Sequence, residues 1–193
     1  MSDSQEFWLL REGPANALMV EPSNPEDIRR AYEIYKGEQP VPATMPFRYA
    51  YGRKLYDYIP TTAVWLKLYS EAFFAALEAE KLTGWTSYPV RITGPESVQG
   101  LAYRGLVVTG RCGPILTELA RPATLLPATA QGRPTPAKFG YFFDERTHDG
   151  SDLFLCASGG PMFLTPRAKE ALVAHGLTGF SVQEAANDQN MKC

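Results

Sequence analysis

The sequence predicts an α+β fold: a mixed, mostly antiparallel sheet or sheets with a few short helices. Three observations point there. Short apolar runs bounded by Gly and Pro recur along the chain, as strands do. Only three segments carry helix caps and helical spacing. A strand–helix–Leu-Thr-Gly–strand unit is written twice.

Phe7 to Leu10 and Ala17 to Val20 read as short strands separated by the turn signal Gly13-Pro14. Asn24 is placed to cap a helix, with Pro25 at its first position and Glu26 and Asp27 at the positive end of its dipole. Ile28, Ala31, Tyr32 and Tyr35 then predict one buried stripe, ended at Gly37. Pro40, Pro42 and Pro46 mark an extended connection. Phe47 to Tyr58 is dense in aromatic residues, and its alternating tyrosines predict one half-buried strand with hydroxyls at solvent. Ala63 to Tyr69, Leu101 to Arg104 and Leu106 to Thr109 are strand-like. Residues 110–140 carry Pro114, Pro122, Pro127, Pro134 and Pro136 with little charge, which predicts a long loop. Phe139 to Phe143 resumes a strand. The polar run Asp144 to Asp152 predicts an exposed hairpin connection into Leu153 to Cys156. Gly159-Gly160-Pro161 serves a turn or bulge before the strand Met162 to Leu164.

The repeated unit aligns without a gap. Leu82-Thr83-Gly84 recurs as Leu177-Thr178-Gly179, an offset of 95 residues. Ser70 then falls on Thr165, and both are good N-caps. Phe73, Ala76 and Leu77 form the core face of one helix; Ala168, Ala171 and Leu172 form that of the other. Gly176 suits the left-handed position after the second helix, whereas Lys81 stands there in the first, so that end is less ideal. Strands follow at Trp85 to Ile92 and Phe180 to Gln183. These residues all serve folding, so the unit reports a scaffold.

With 193 residues, 45% apolar and 21% charged, the chain reads as one domain over 1–193. The alternative organisation is two lobes, 1–100 and 101–193, that share a core. A net charge of −2 supplies no bulk field toward nucleic acid or anionic lipid. The opening Met1 to Glu6 is polar and acidic and does not read as a secretory signal. No stretch approaches the ~20 apolar residues of a membrane span. Cys112, Cys156 and Cys193 are odd in number and widely spaced, which suits a reducing compartment. The expectation is a cytoplasmic protein with no membrane partner.

Chemical constellations are sparse. A Cys–His nucleophile pair can draw only on His148 and His175, and the best of these combinations is Cys156 with His148. His175 near a helix end answers the dipole, and His148 in a polar loop is solvated. No C-x-x-C or H-x-x-x-H spacing supports zinc. Asp144, Glu145, Asp149 and Asp152 do not follow the EF-hand pattern, and they read as a solvated loop. Gly159-Gly160-Pro161 lacks the Lys and spacing of a phosphate loop, and Ser158 sits in no G-x-S-x-G elbow. Arg48, Arg53 and Lys54 among Tyr49, Tyr51, Tyr56 and Tyr58 could stack single-stranded nucleic acid, although a structural strand accounts for them better in an acidic chain. No catalytic, metal or cofactor residues are assigned.

Tyr69-Ser70-Glu71, the apolar helix after it, Leu82-Thr83-Gly84 and Tyr88-Pro89-Val90 resemble the immunity protein eleven family of bacterial polymorphic-toxin systems. Met162-Phe163-Leu164-Thr165, Ala171-Leu172 and Gly176 to Phe180 resemble that family's closing segment. The related double-CXXCG immunity proteins of myxobacteria carry a cysteine pair that this chain lacks; Cys112-Gly113 is at most a remnant, and any zinc of those relatives does not carry over. The resemblance covers about 52–182 and implies a non-catalytic protein that binds and neutralises a cognate protein toxin. On this reading the acidic run, Asp144, Glu145, Asp149 and Asp152, meets a basic cleft of the toxin. The alternatives are a small cysteine-dependent hydrolase or transferase using Cys156 or Cys112, and a weak single-stranded nucleic-acid binder.

Overall fold

The computed structural model describes residues 6–14, 16–41, 43–125 and 134–188. Residues 1–5, Pro42, Pro127 and Cys193, named above, lie outside them. The first half of the chain contributes β1 (Trp8–Glu12), β2 (Met19–Pro22), α1 (Pro25–Arg29), α2 (Ala31–Tyr35), β3 (Met45–Tyr51), β4 (Tyr58–Ile59), β5 (Lys67–Ser70), α3 (Glu71–Ala79) and β6 (Trp85–Thr93). The second contributes β7 (Tyr103–Val108), β8 (Gly110–Cys112), β9 (Arg121–Leu125), β10 (Thr135–Phe139), β11 (Leu153–Cys156), β12 (Phe163–Leu164), α4 (Pro166–Ala174) and β13 (Phe180–Glu184). The fold is α+β. No helix among the described residues is long and apolar enough to cross a membrane.

Two sheets carry the architecture. One runs β2-β3-β6-β7-β5-β4 and the other β13-β1-β12-β11-β8. Only β3–β6 and β8–β11 run parallel among the named strands. Each sheet takes all but one strand from its own half of the chain: β7 lies between β6 and β5, and β1 lies between β13 and β12. The halves have exchanged their first strands.

The 95-residue offset survives in the pairing. Tyr58 faces Tyr69 where Leu153 faces Leu164, and Trp85 and Phe180 each open a strand that pairs antiparallel with an exchanged strand, β7 and β1. The first sheet also curls toward a barrel. Val20 N donates to Pro60 O at 3.2 Å and Thr62 N to Val20 O at 3.0 Å, so edge strand β2 meets the chain beyond β4.

The helices α3 and α4 pack against each other. Phe73, Phe74 and Leu77 share one buried cluster with Ala168, Ala171, Leu172, Leu106, Leu153 and Leu164. Each such large side chain stabilises the fold by roughly 1.5–3 kcal/mol on burial. Both caps form as expected: Ser70 Oγ accepts from Phe73 N at 3.2 Å, and Thr165 Oγ1 accepts from Ala168 N at 3.3 Å.

Several expectations are corrected. The first helix breaks at Arg30 (φ −96°, ψ 4°), which rotates the second segment out of register. Ile28 is therefore 46% exposed, and Ile34 joins Ala31 and Tyr35 in the core. The strands expected on either side of Gly105 are one strand, β7. A Cβ at Gly105 would lie 1.9 Å from Tyr88 Cζ, because the Tyr88 ring occupies the space of the missing side chain. The stretch from Ala63 to Leu66 is a turn, with Leu66 N donating to Ala63 O at 2.7 Å.

The expected loop over 110–140 contains β8 and the β9–β10 hairpin. A two-stranded ribbon has an open edge on each side, so Pro122 and Pro136 can sit in it. Past Phe139 the expected strand stops at Gly140 (φ +86°), and the chain instead ties Tyr141 N to Ala185 O at 2.9 Å.

Candidate functional site

The acidic run is a built ridge leading into β11. Asp144 caps a single 3₁₀ turn, Glu145–Thr147, by accepting from Arg146 N at 3.1 Å. Its carboxylate also takes Arg146 Nε and a terminal guanidinium nitrogen at 2.9 and 2.8 Å. The hydrogen bond from this guanidinium, with that of the Arg146 amide, holds the carboxyl below its ordinary value. Thr147 anchors the turn from below: its Oγ1 accepts from Gly113 N at 2.7 Å.

Asp149 accepts from Arg111 N at 2.8 Å and Ser151 N at 3.0 Å. Partial burial pushes its carboxyl up, but hydrogen bonds from Ser151 and Arg111 outweigh that and hold it low. Contrary to the solvated reading, the His148 ring lies against Phe154, with centroids 4.2 Å apart, and its Nε2 donates to Ser151 O at 2.8 Å. The ridge is thus fixed at both ends.

Glu145 is exposed, as Asp149 is, and no hydrogen bond or ion pair to the Glu145 carboxylate is found among the described residues. It borders a cleft of about 130 Å³ that also touches Glu6 and Glu184. Phe7 and Ala185 are buried beneath, and Tyr141, Phe142, Phe143 and Ala186 complete the lining. Three glutamates lining one aromatic cleft, of which Glu184 also accepts from Asn187 Nδ2, suit a long cationic side chain, whose stem packs on the rings while its head meets the acids. Glu6 and Glu184 have no signal in the local sequence, because three separate segments bring them to Glu145.

Asp152 is a correction. It is 6% exposed and faces inward. Its carboxylate accepts from Thr83 N at 2.9 Å, Thr83 Oγ1 at 3.2 Å, Thr165 Oγ1 at 3.1 Å and Arg167 at 3.2 Å. Asp57 does the same 95 residues earlier, accepting from Ser70 Oγ at 2.7 Å, Thr178 N at 2.7 Å and Thr178 Oγ1 at 2.8 Å. Each aspartate therefore holds the N-cap of its own copy and the Leu-Thr-Gly turn of the other. The four acids do not converge, and no group of three or more metal-ligating side chains gathers among the described residues.

The cysteines meet each other. Cys112 and Cys156 face across β8 and β11 with sulfurs 2.8 Å apart, both buried. The hydrogen bond with Cys112, together with burial, pushes the Cys156 thiol up and keeps it protonated while this edge of the sheet is closed, which opposes a nucleophilic role in the closed fold. His148 is engaged with Ser151, and His175 faces Glu80 at 3.4 Å.

The tyrosine-rich stretch is not one strand. β3 ends at Tyr51, Gly52 (φ +84°) turns the chain, and Tyr58 joins the core in β4. Tyr49 donates to Gly52 O and Tyr56 to Asn16, so the rings form no continuous platform.

A larger cleft of about 450 Å³ opens where the sheets meet, with Arg11, Tyr35, Tyr58, Trp65, Lys67 and Tyr69 among its walls. Arg11 is paired there with Asp188, and Tyr69 stacks on Phe73. The sequence matches the model of no known protein family, and no curated protein shows significant similarity to it, so the likeness to immunity proteins rests on the short motifs alone.

Proposed function

We propose that this chain is an immunity protein, acting in the bacterial cytoplasm, that binds and neutralises a cognate protein toxin without turning over a substrate. The observation that carries the reading is the rigid acidic ridge beside an acid-bordered aromatic cleft. A preorganised surface loses little conformational entropy on binding. Its carboxylates steer a basic partner and suppress wrong ones. The contact set is Glu145, Asp144 and Asp149, with Glu6 and Glu184 joined to them; Asp152 belongs to the scaffold.

The partner is sought as the product of the neighbouring reading frame, a secreted multidomain toxin, by co-purification. Glu145→Lys tests the surface, because the side chain is exposed and no hydrogen bond to it is found among the described residues. Reversal is expected to slow association by about tenfold and flatten its salt dependence, leaving thermal stability unchanged. Unchanged association and salt dependence in Glu145→Lys combined with Glu6→Lys would sink this reading of the surface.

A further inference from the structure

We propose that Cys112 and Cys156 are a redox modification site, closing to an intramolecular disulfide when the protein meets a hydroperoxide. The pair is set by strand register. β8 and β11 are hydrogen-bonded neighbours, and Cys156 pairs directly with Cys112. Directly paired residues send their side chains to the same face of a sheet. Neighbouring strands lie about 4.8 Å apart, inside the Cα separation that a disulfide spans. The sulfurs already stand 2.8 Å apart. No strand has to move for the bond to form.

The surroundings favour a small neutral oxidant. Both thiols are nearly closed off, at 4% and 3% exposure, among Phe7, Leu9, Phe154 and Phe163. Hydrogen peroxide can reach them through local opening of this edge of the sheet, where β8 is the terminal strand. One sulfur takes an oxygen from the peroxide and becomes a sulfenic acid, releasing one water. The second sulfur attacks it, the Sγ–Sγ bond forms, and the hydroxyl leaves as a second water. Two thiols and one peroxide thus yield one disulfide and two waters.

The bond would tie the two ends of a segment that contains Asp144, Glu145 and Asp149. Arg111 and Gly113, on either side of Cys112, already hold that ridge through Asp149 and Thr147. Oxidation therefore makes covalent the base on which the acidic ridge stands.

The test uses the full chain carrying Cys193→Ser, so that only this pair can close. After peroxide treatment the protein is denatured and labelled with a thiol alkylator. The expected result is a mass lower by about 2 Da with no label taken up, and reversal by dithiothreitol. Digestion should release the peptides of Cys112 and Cys156 linked together. The thermal midpoint should rise by about 10 °C on oxidation, since the cross-link restricts the unfolded chain. Adding Cys156→Ala should abolish that rise while leaving the circular dichroism of the reduced protein unchanged. Full labelling of both thiols after oxidation overturns the proposal. So does a mass gain in steps of about 16 Da in place of the loss, or an equal rise in midpoint with Cys156→Ala. None of these outcomes depends on a toxin being bound.

Discussion

Asp57 and Asp152 show how much a single carboxylate does in this chain. Asp152 takes four donors, two of them from the opposite copy of the repeated unit. Replacing it with Ala leaves the Thr83 amide without its acceptor, and this is expected to cost about 2–4 kcal/mol, read as a lowered urea midpoint. Asp57 adds a pH dependence. Burial raises its carboxyl, but hydrogen bonds from Ser70 and Thr178 more than offset this and hold it below the ordinary value. With the folded value below the unfolded one of about 3.9, its contribution is present above that pH and is lost as pH falls through the folded value. Stability measured between about pH 5 and pH 3 should fall less in Asp57→Asn than in the parent. The sequence held a signal for both residues, since they share the 95-residue offset. It did not show that Asp152 turns inward, because burial depends on where Thr83 and Arg167 arrive.

At the scale of elements, helix ends were the most legible feature. Asn24, Ser70 and Thr165 each cap by accepting a nearby amide, as local chemistry dictates. The first repeat ends on Lys81 at φ +51°, the only described non-glycine residue with a positive φ, whereas Gly176 takes that place in the second at φ +62°. Lys81→Gly is expected to relieve this strain and stabilise the protein by about 0.5–1 kcal/mol, or roughly 2–3 °C in thermal midpoint. A lowered midpoint would show that the lysine makes compensating contacts. Less legible were elements governed by neighbours. The continuity of β7 through Gly105 needs the Tyr88 ring from β6, and the hairpin within 110–140 needs strands to find each other across a proline-rich span. Periodicity at Ile28 failed for a related reason: the helix turns at Arg30, and a spacing argument assumes one straight axis.

For the whole molecule, the exchange of β1 and β7 is the governing feature. Each sheet is completed by a strand from the other half, and the two repeat helices pack in one core. Separation of the halves would strip both sheets of an internal strand and expose that core. A protease site introduced at Gly100, whose surroundings are open, should therefore be cut without releasing the halves. Cleaved protein is expected to elute as one species under native conditions and to separate only in denaturant. Elution as two species would show that the exchanged strands do not hold the halves. By itself, the sequence determined the α+β class, the caps, the buried faces of α3 and α4, and the repeated pattern of residues, because each follows from residues within one turn or one strand. The tertiary structure alone decided which sheet each first strand joins, that Asp152 is scaffold while Glu145 faces outward, and that Cys112 meets Cys156. Those are contacts between segments tens of residues apart, and local propensity carries no term for them.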